Sequence, residues 1–531
     1  MSSPQGYLAL VLHAHLPFVR HPEHERFLEE DWLYEAITEC YLPLLDMMDR
    51  LSRKSVPFHF SLVLTPTLLS MLGDDLLRSR YLKHLGHSLE LAYRERMRTS
   101  TDPRFSRLAQ MYVARLQRAK RMFTEVFEGD LVQAFGGWEK RGHIELLTCA
   151  ATHAYLPLLS VQPQVIAAQL KTAVTNHQQA FGRRPKGIWL PECGYCPPLQ
   201  SLLTEQGLEY TFLDAHGLLQ SEPRPSRGVF APVAGNKGLI FFGRDLSSSR
   251  QVWSATEGYP GHPAYREFYR DIGFDLDLDY IRPYIQPTGA RKNTGIKYHR
   301  ITGATQDKEP YLPELAVQQA ELHAKHFLKA RLKQARKLHP MMGDRPALVL
   351  APFDAELFGH WWYEGPIFLE KLFTLAAREP ELETITPSEY LTRHSDLQSS
   401  EPQLSSWGQG GYNAMWLNES NDWVYRHLHW AGEHMIQLAE ANPQAKGLRR
   451  RALNQAAREL MLAQASDWAF IMKTGTAVEY AVRRTREHLE AFAELHKQLS
   501  DENAEIDQEF LINLERRHNL FPQIDYKSYL T

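Results

Sequence analysis

Two acids in this chain follow apolar runs in a way that suits chemistry at a shared site. In "WLPECGY" (189–195) Glu192 comes directly after an apolar run, and in "APFDAELFGHWW" (351–362) Asp354 holds the equivalent place after "LVLAPF". Carboxyls delivered by different strand ends of one barrel converge on the same space. Such a pair can break a glycosidic bond, one acid attacking the anomeric carbon while the other protonates the departing oxygen. A single acid in such a place more often caps a helix or pairs with a surface cation. The neighbours favour chemistry: Trp189, Trp361, Trp362 and Tyr363 lie beside the acids, and an indole face suits the C–H face of a sugar ring. The chain has 11 tryptophans, and their gathering near acids and histidines points to a carbohydrate groove.

His13 and His15 of "HAHLPF" (13–18) project to the same side of a strand. Two readings of them stand at this level. They hydrogen-bond sugar hydroxyls, or they begin the metal site of an amidohydrolase, for which His153 and His216 would be further ligands. Cys193 and Cys196 have the spacing of a redox pair but no thioredoxin-like surroundings, and Cys40 and Cys149 add no recognisable zinc spacing. A glycine for a tight turn beside Glu192 accounts better for "ECGY".

The elements that must position these residues are eight apolar runs: "YLALVLHAH", "FHFSLVL", "IELLTCA", "KGIWLPE", "EYTFLDAHG", "LIFFGRD", "ALVLAPFDAE" and "LETITPSEY". Near-continuous apolar strands, well separated in sequence, fit a parallel sheet covered on both faces. The fold class expected is α/β, a (β/α) barrel formed by residues 1–72 and 129–395. Residues 73–128 are charged and helix-periodic and read as a helical insertion. Residues 396–531 read as a helical C-terminal domain, with the Ser-, Gln- and Pro-rich stretch 392–406 as its linker.

Composition narrows the function. With 60 basic and 63 acidic residues the formal charge is −3, so the chain lacks the basic excess a nucleic-acid binder uses to displace counterions. No apolar run reaches the roughly 18 to 20 residues of a membrane span. The opening "MSSPQGYLALVLHAHLPF" has no basic n-region and reads as a strand, not a signal peptide, so a cytoplasmic protein is expected. Four cysteines in 531 residues are too few for a disulfide scaffold.

The ordered set "HAHLPF", "GHIELLTCAATHAYLPLL", "WLPECGY", "APFDAELFGHWW" and "SDWAFI" resembles the signature regions of glycoside hydrolase family 57. Within it the match is closest to the 1,4-α-glucan branching enzymes, including "FLDAHG", "FFGRD" and "SRQVWSATEGYPGHPAYREFYRDIG". The resemblance implies an incomplete, seven-stranded (β/α) barrel, an insertion after the second strand, and a C-terminal domain closing over the cleft. It implies a retaining double displacement with Glu192 as nucleophile and Asp354 as general acid/base, their carboxyls about 5–5.5 Å apart. His13, His15 and His153 would line the subsite of the attacked sugar. Arg244 would hydrogen-bond near the nucleophile and favour its ionised form. Trp32, Trp361, Trp407 and Trp416 would form aromatic subsites, and Asp467 with Trp468 would enter from the C-terminal domain. No metal or cofactor is implied. The resemblance also implies an α-1,4-glucan as donor and acceptor and an α-1,6 branch as product. An α-glucan hydrolase (amylase) and a 4-α-glucanotransferase share the first half-reaction. Branching enzymes of the family carry a tyrosine on a mobile loop, expected here between about 230 and 262; "LIFFGRD" offers phenylalanines there, Tyr259 lies in the later "EGYPG", and the sequence does not place the tyrosine.

Overall fold

The computed structural model describes residues 4–254, 257–286, 288–343, 345–501 and 504–530. Its strands are β1 (Gly6–Ala14), β2 (Phe60–Leu64), β3 (Ile144–Cys149), β4 (Gly187–Trp189), β5 (Tyr210–Leu213), β6 (Val233–Ala234), β7 (Ile240–Gly243), β8 (Ala347–Asp354), β9 (Leu382–Thr384) and β10 (Gln398–Ser399). Each of the eight apolar runs forms a strand. The two-residue strands β6 and β10 are too short to carry a periodic apolar signature.

The sheet runs β10-β6-β7-β5-β4-β3-β2-β1-β8. The seven strands from β7 to β8 are all parallel and curl into an arc. Its two ends meet through a single bridge between Arg244 and Leu350, where the Asp245 N–H donates to the Leu350 carbonyl at 2.9 Å. The barrel is therefore seven-stranded and incomplete, joined at its seam by a point contact instead of a ladder. The eighth run, β9, lies outside the arc and pairs only with Gly6–Leu8 at the start of β1. β6 is antiparallel on the outer edge of β7.

Every residue of β1 is buried, as expected of a strand packed on both faces. Alternation along it separates two apolar clusters. Tyr7, Ala9 and Val11 point inward to meet Trp189, Tyr210, Phe212, Phe242 and Leu348. Leu8, Leu10 and Leu12 belong to the outer layer under the helices. Large aromatic rings fill the barrel floor, so any site must lie at the strand ends.

Between β2 and β3 the chain forms the helices Asp75–Arg98 and Ser106–Arg121, the first capped by the Asp74 carboxylate accepting from the Leu77 N–H at 3.0 Å. Among the described residues the last stretch forms five α-helices, from Asp422–Ala441 to Gln508–Arg517. The segment 392–406, expected as the linker, is attached to the sheet. Gln398–Ser399 pairs with β6, and Tyr195 and Ser405 exchange backbone hydrogen bonds of 2.9 and 3.1 Å. Edge backbone groups need partners, and this strap supplies them. Among the described residues no helix is long and apolar enough to cross a membrane.

Candidate active site

The site is built at the C-terminal ends of β1, β3, β4 and β8. His13 and Asp354 are register partners on adjacent strands, which brings His13 Nδ1 to 3.4 Å from Asp354 Oδ1. Beyond β4 the chain turns sharply, with Glu192 at φ 62° and Cys193 at φ 50°. Left-handed backbone at a residue other than glycine stores of order 1 kcal/mol of strain and persists only where the surroundings hold it. Here the turn rotates the Glu192 carboxyl into the cleft. Gly194 completes it because a Cβ there would stand 2.6 Å from the Tyr155 ring. His153, after β3, is also left-handed at φ 58°.

The strap then delivers a partner from far along the chain. The Trp407 indole N–H donates to Glu192 Oε2 at 2.6 Å, and the Trp407 backbone N–H donates to the Glu192 carbonyl at 2.9 Å. The C-terminal helices add a third layer. The Ser466 N–H donates to the His153 carbonyl at 3.0 Å, and this docks Asp467 onto His15, with Nε2 3.0 Å from Oδ1. The other His15 ring nitrogen meets Thr65 Oγ1 at 3.0 Å. The rings of His15 and His153 stack at 3.8 Å and 11°, and His153 Nδ1 bonds Ser466 Oγ at 2.8 Å.

Electrostatics follow from this enclosure. Burial pushes the Glu192 carboxyl up to about 8; the Trp407 N–H opposes that, and the charges of Asp354 and Asp467 reinforce it. Burial holds His13 and His153 below the usual imidazole range, so both rings are neutral at pH 7. Nε2 of each is buried and meets no partner among the described residues. Such orphaned atoms in a cleft are suited to ligand hydroxyls. Glu356 is likewise raised to about 8 by burial; it accepts from the Tyr41 hydroxyl at 2.6 Å and from the His15 N–H at 3.2 Å, the orienting part its position suggests.

The cleft encloses about 1010 Å³, and its lining includes His13, His15, Trp32, His153, Glu192, Asp354, Trp361, Trp407, Trp416 and Asp467. Ten of the expected site residues therefore share one space. Trp361 is 52% exposed and stacks on Phe268 at 4.5 Å. Trp416 presents only an edge, since its face packs on Tyr155 at 4.3 Å.

Two expected site residues stand apart from the lining. Arg244 lies one layer back, donating to Asp214 Oδ2 at 3.0 Å and Ser249 Oγ at 2.8 Å, with its guanidinium 5.4 Å over the Trp407 ring. Its charge is taken up by Asp214, so it supports Trp407 and does not bond Glu192. Trp468 is 1% exposed and donates to the Leu462 carbonyl at 2.9 Å, which anchors the helix carrying Asp467. Tyr259 is also away from the cleft, buried with its hydroxyl on His326 Nδ1 at 2.8 Å and its ring stacked on His323. The aromatic that this segment does place at the cleft is Trp253; Ala255 and Thr256 of the expected loop lie outside the described residues.

Glu35, Phe268 and Asn293 line the cleft unannounced by the sequence. Phe268 falls in the recognised "REFYRDIG" stretch, but nothing local marks its direction. For a metal, the ligand atoms of His15, His153 and Asp467 lie within 4.8 Å of one another. His216 is not among them: it bonds the Gly411 carbonyl at 2.8 Å and Asp214 at 3.3 Å. The four-histidine set of the amidohydrolase reading is thus not assembled, and both nitrogens of His15 already have protein partners.

Comparison with known proteins agrees with this geometry. Residues 9–399 match the family model of glycosyl hydrolase family 57, and residues 427–529 match that of the 1,4-alpha-glucan branching enzyme C-terminal region. The 1,4-alpha-glucan branching enzyme TK1436 of Thermococcus kodakarensis is 31% identical over 99% of this chain and 79% of its own length. Among solved structures, the alpha-amylase AmyC of Thermotoga maritima superposes with a TM-score of 0.93 at 42% identity, covering 99% of both chains. The branching enzyme of Pyrococcus horikoshii superposes with a TM-score of 0.89 at 32% identity, covering 99% of this chain and 97% of its own. With its barrel and its C-terminal helices both matched, the chain belongs to glycosyl hydrolase family 57.

Proposed function

We propose that this protein is a 1,4-α-glucan branching enzyme acting by retaining double displacement, with α-1,4-glucan as both donor and acceptor. The observation that carries the reading is the pair Glu192 and Asp354, brought from two strand ends into one aromatic-lined cleft. The Glu192 carboxylate attacks C1 of a glucosyl unit, and the Asp354 carboxylic acid passes its proton to the O4 of the leaving chain. A covalent glycosyl-enzyme results. Asp354, now a carboxylate, takes the proton of a 6-hydroxyl on a second chain, O6 attacks C1, and Glu192 departs as the α-1,6 bond forms. A carboxyl separation of about 5–5.5 Å belongs to this mechanism. The neutral His13 and His153 hold hydroxyls of the attacked sugar, and Trp361 and Trp407 offer ring surface to neighbouring units. The buried, unbridged thiols of Cys40, Cys149, Cys193 and Cys196 suit a reducing cytoplasm.

The likeness to AmyC supports a second reading, an α-glucan hydrolase in which water takes the acceptor's place. The deciding experiment is incubation with amylose, counting α-1,6 linkages by proton NMR against new reducing ends, with Glu192→Gln and Asp354→Asn as controls and a chelator in parallel. Branching predicts α-1,6 linkages outnumbering reducing ends, both variants inactive, and no effect of the chelator. Reducing ends alone would favour the hydrolase; redistribution of α-1,4 chains alone, a 4-α-glucanotransferase. Loss of activity on chelation would revive the metal reading.

A further inference from the structure

His13 and His153 each carry one ring nitrogen that the protein itself does not use. Asp354 engages His13 Nδ1 at 3.4 Å and Ser466 engages His153 Nδ1 at 2.8 Å, so each ring is oriented from one side, while both Nε2 atoms are buried without a partner among the described residues. The two rings stand 5.1 Å apart, centroid to centroid. Behind them is a thiol. Cys149 ends β3 and, like Leu147 two residues earlier, belongs to the inner cluster of the barrel; it is fully buried and unbridged. One ligand atom from each of His13, Cys149 and His153 lies within 4.8 Å of the other two.

Two imidazole nitrogens and a thiol suit zinc and other thiophilic dications, whereas magnesium and calcium take oxygen ligands. Histidine ligands are held in this manner, by a partner on the second ring nitrogen. Bond lengths of about 2.0–2.1 Å to nitrogen and 2.3 Å to sulfur put tetrahedral ligands roughly 3.3–3.6 Å apart, so the set closes by about 1 Å on the metal, within reach of ring rotation. Charge favours the same ligand. Among the described residues the cleft is lined by the carboxyls of Glu35, Glu192, Asp354, Glu356 and Asp467 and by no lysine or arginine, and a cleft of one sign concentrates counter-ions. The nearby Arg244 is already paired with Asp214 at 3.0 Å.

We propose that His13, Cys149 and His153 form an inhibitory site for a zinc-class dication, which competes with the glucan for the floor of the cleft. The ion binds the two Nε2 atoms and the Cys149 sulfur; the thiol proton passes to solvent as the sulfur–metal bond forms, and the fourth position faces the cleft. Those Nε2 atoms are the ones that hold sugar hydroxyls in the proposed mechanism, so metal and sugar exclude each other. The other grouping, His15, His153 and Asp467, shares His153, but both ring nitrogens of His15 are taken by Thr65 and Asp467. Metal binding itself does not depend on which glucan reaction the protein performs.

The test uses the full-length protein, stripped with a chelator and dialysed, with cobalt(II) as a spectroscopic stand-in for zinc. A cobalt–thiolate bond gives a charge-transfer band in the near ultraviolet that histidine and carboxylate ligands do not. Wild type is expected to show the band, to lose it as maltoheptaose is added, and to be inhibited by zinc competitively with maltoheptaose; chelation then restores activity, where removal of a catalytic metal would abolish it. Cys149 takes no part in the reaction, so Cys149→Ser should keep its activity, lack the band and bind zinc about tenfold more weakly. Cobalt binding to wild type without the band would put the metal on other ligands and refute the site, as would no binding at all, or zinc inhibition of Cys149→Ser equal to that of wild type. A thermal melt verifies that Cys149→Ser is folded; if it is not, maltoheptaose added to cobalt-loaded wild type decides, loss of the band supporting the site and its persistence refuting it. If wild type does not act on glucan, the functional reading fails, and the band alone still decides the metal site.

Discussion

Replacing Trp407 by Phe probes one interaction at Glu192, the proposed nucleophile. A six-membered ring and the backbone tie to Glu192 remain, while the indole N–H, 2.6 Å from Glu192 Oε2, is removed together with the rest of the five-membered ring. That N–H favours the anion, so its loss must raise the Glu192 pKa from a value that burial already sets at about 8. A hydrogen bond to a charged group contributes about 1.5–3 kcal/mol. At 1.36 kcal/mol per pH unit this moves the acid limb of kcat/KM up by about 1–2 pH units. The ionised fraction at pH 7, about a tenth in wild type, falls about 10- to 100-fold further. The lower end is expected, because Trp407 is half-buried and water can replace part of the donor. The assay is kcat/KM on a soluble maltooligosaccharide from pH 5 to 10. The variant should approach wild type above its raised pKa. An acid limb that stays in place or moves down would refute the reasoning, and a loss equal at every pH would assign Trp407 to sugar contact alone.

Two further outcomes follow from burial and exposure. In the C-terminal helices Glu459 bonds His488 Nδ1 and His518 Nδ1, each at 2.7 Å. Burial works against its charge, but the two histidines hold its carboxyl far below the usual range, and burial keeps both imidazoles below 6.5. A depressed carboxylate contributes stability above its unfolded pKa that is lost as pH falls, and the depressed histidines act in the same direction below about pH 6.5. The melting temperature should therefore drop steadily from pH 7 to 4. Glu459→Gln, which replaces the charged acceptor of two buried imidazole hydrogen bonds by an amide with one acceptor oxygen, should cost about 1.5–3 kcal/mol; a variant melting with wild type at pH 7 would refute that. The second outcome contrasts two tryptophans. Trp361→Ala, in the open cleft, should raise KM for amylose about 2- to 12-fold with little change in melting. Trp468→Ala, at 1% exposure, should lose about 3–5 kcal/mol of stability, and the reverse pattern would overturn both assignments.

Much of the architecture is written locally. A parallel barrel strand is buried on both faces, so "YLALVLHAH" and "ALVLAPFDAE" declare themselves as near-continuous apolar runs. The residue that ends such a run is at the barrel mouth by construction, which is why Glu192 and Asp354 were legible as a pair. β6 and β10 were not, because two-residue edge strands carry no periodic pattern. The strap at 392–406 reads as linker by composition because its pairing is made through backbone atoms, which leave no mark on residue types.

By itself the sequence determined the order of the eight apolar strands, the two helical regions, the two acids at strand ends, and the family. Only the tertiary structure decided what stands next to those acids. Trp407 reaches Glu192 across 215 residues and Asp467 reaches His15 across 452, contacts that exist only once the strap and the C-terminal helices dock on the barrel. The same packing turned Arg244 toward Asp214 and put Trp468 in the core, though both sit in motifs that mark them as site residues. Hydrophobic pattern is a property of neighbours in the chain, whereas the direction of a polar side chain is set by the partners that satisfy it, and those come from elsewhere in the fold.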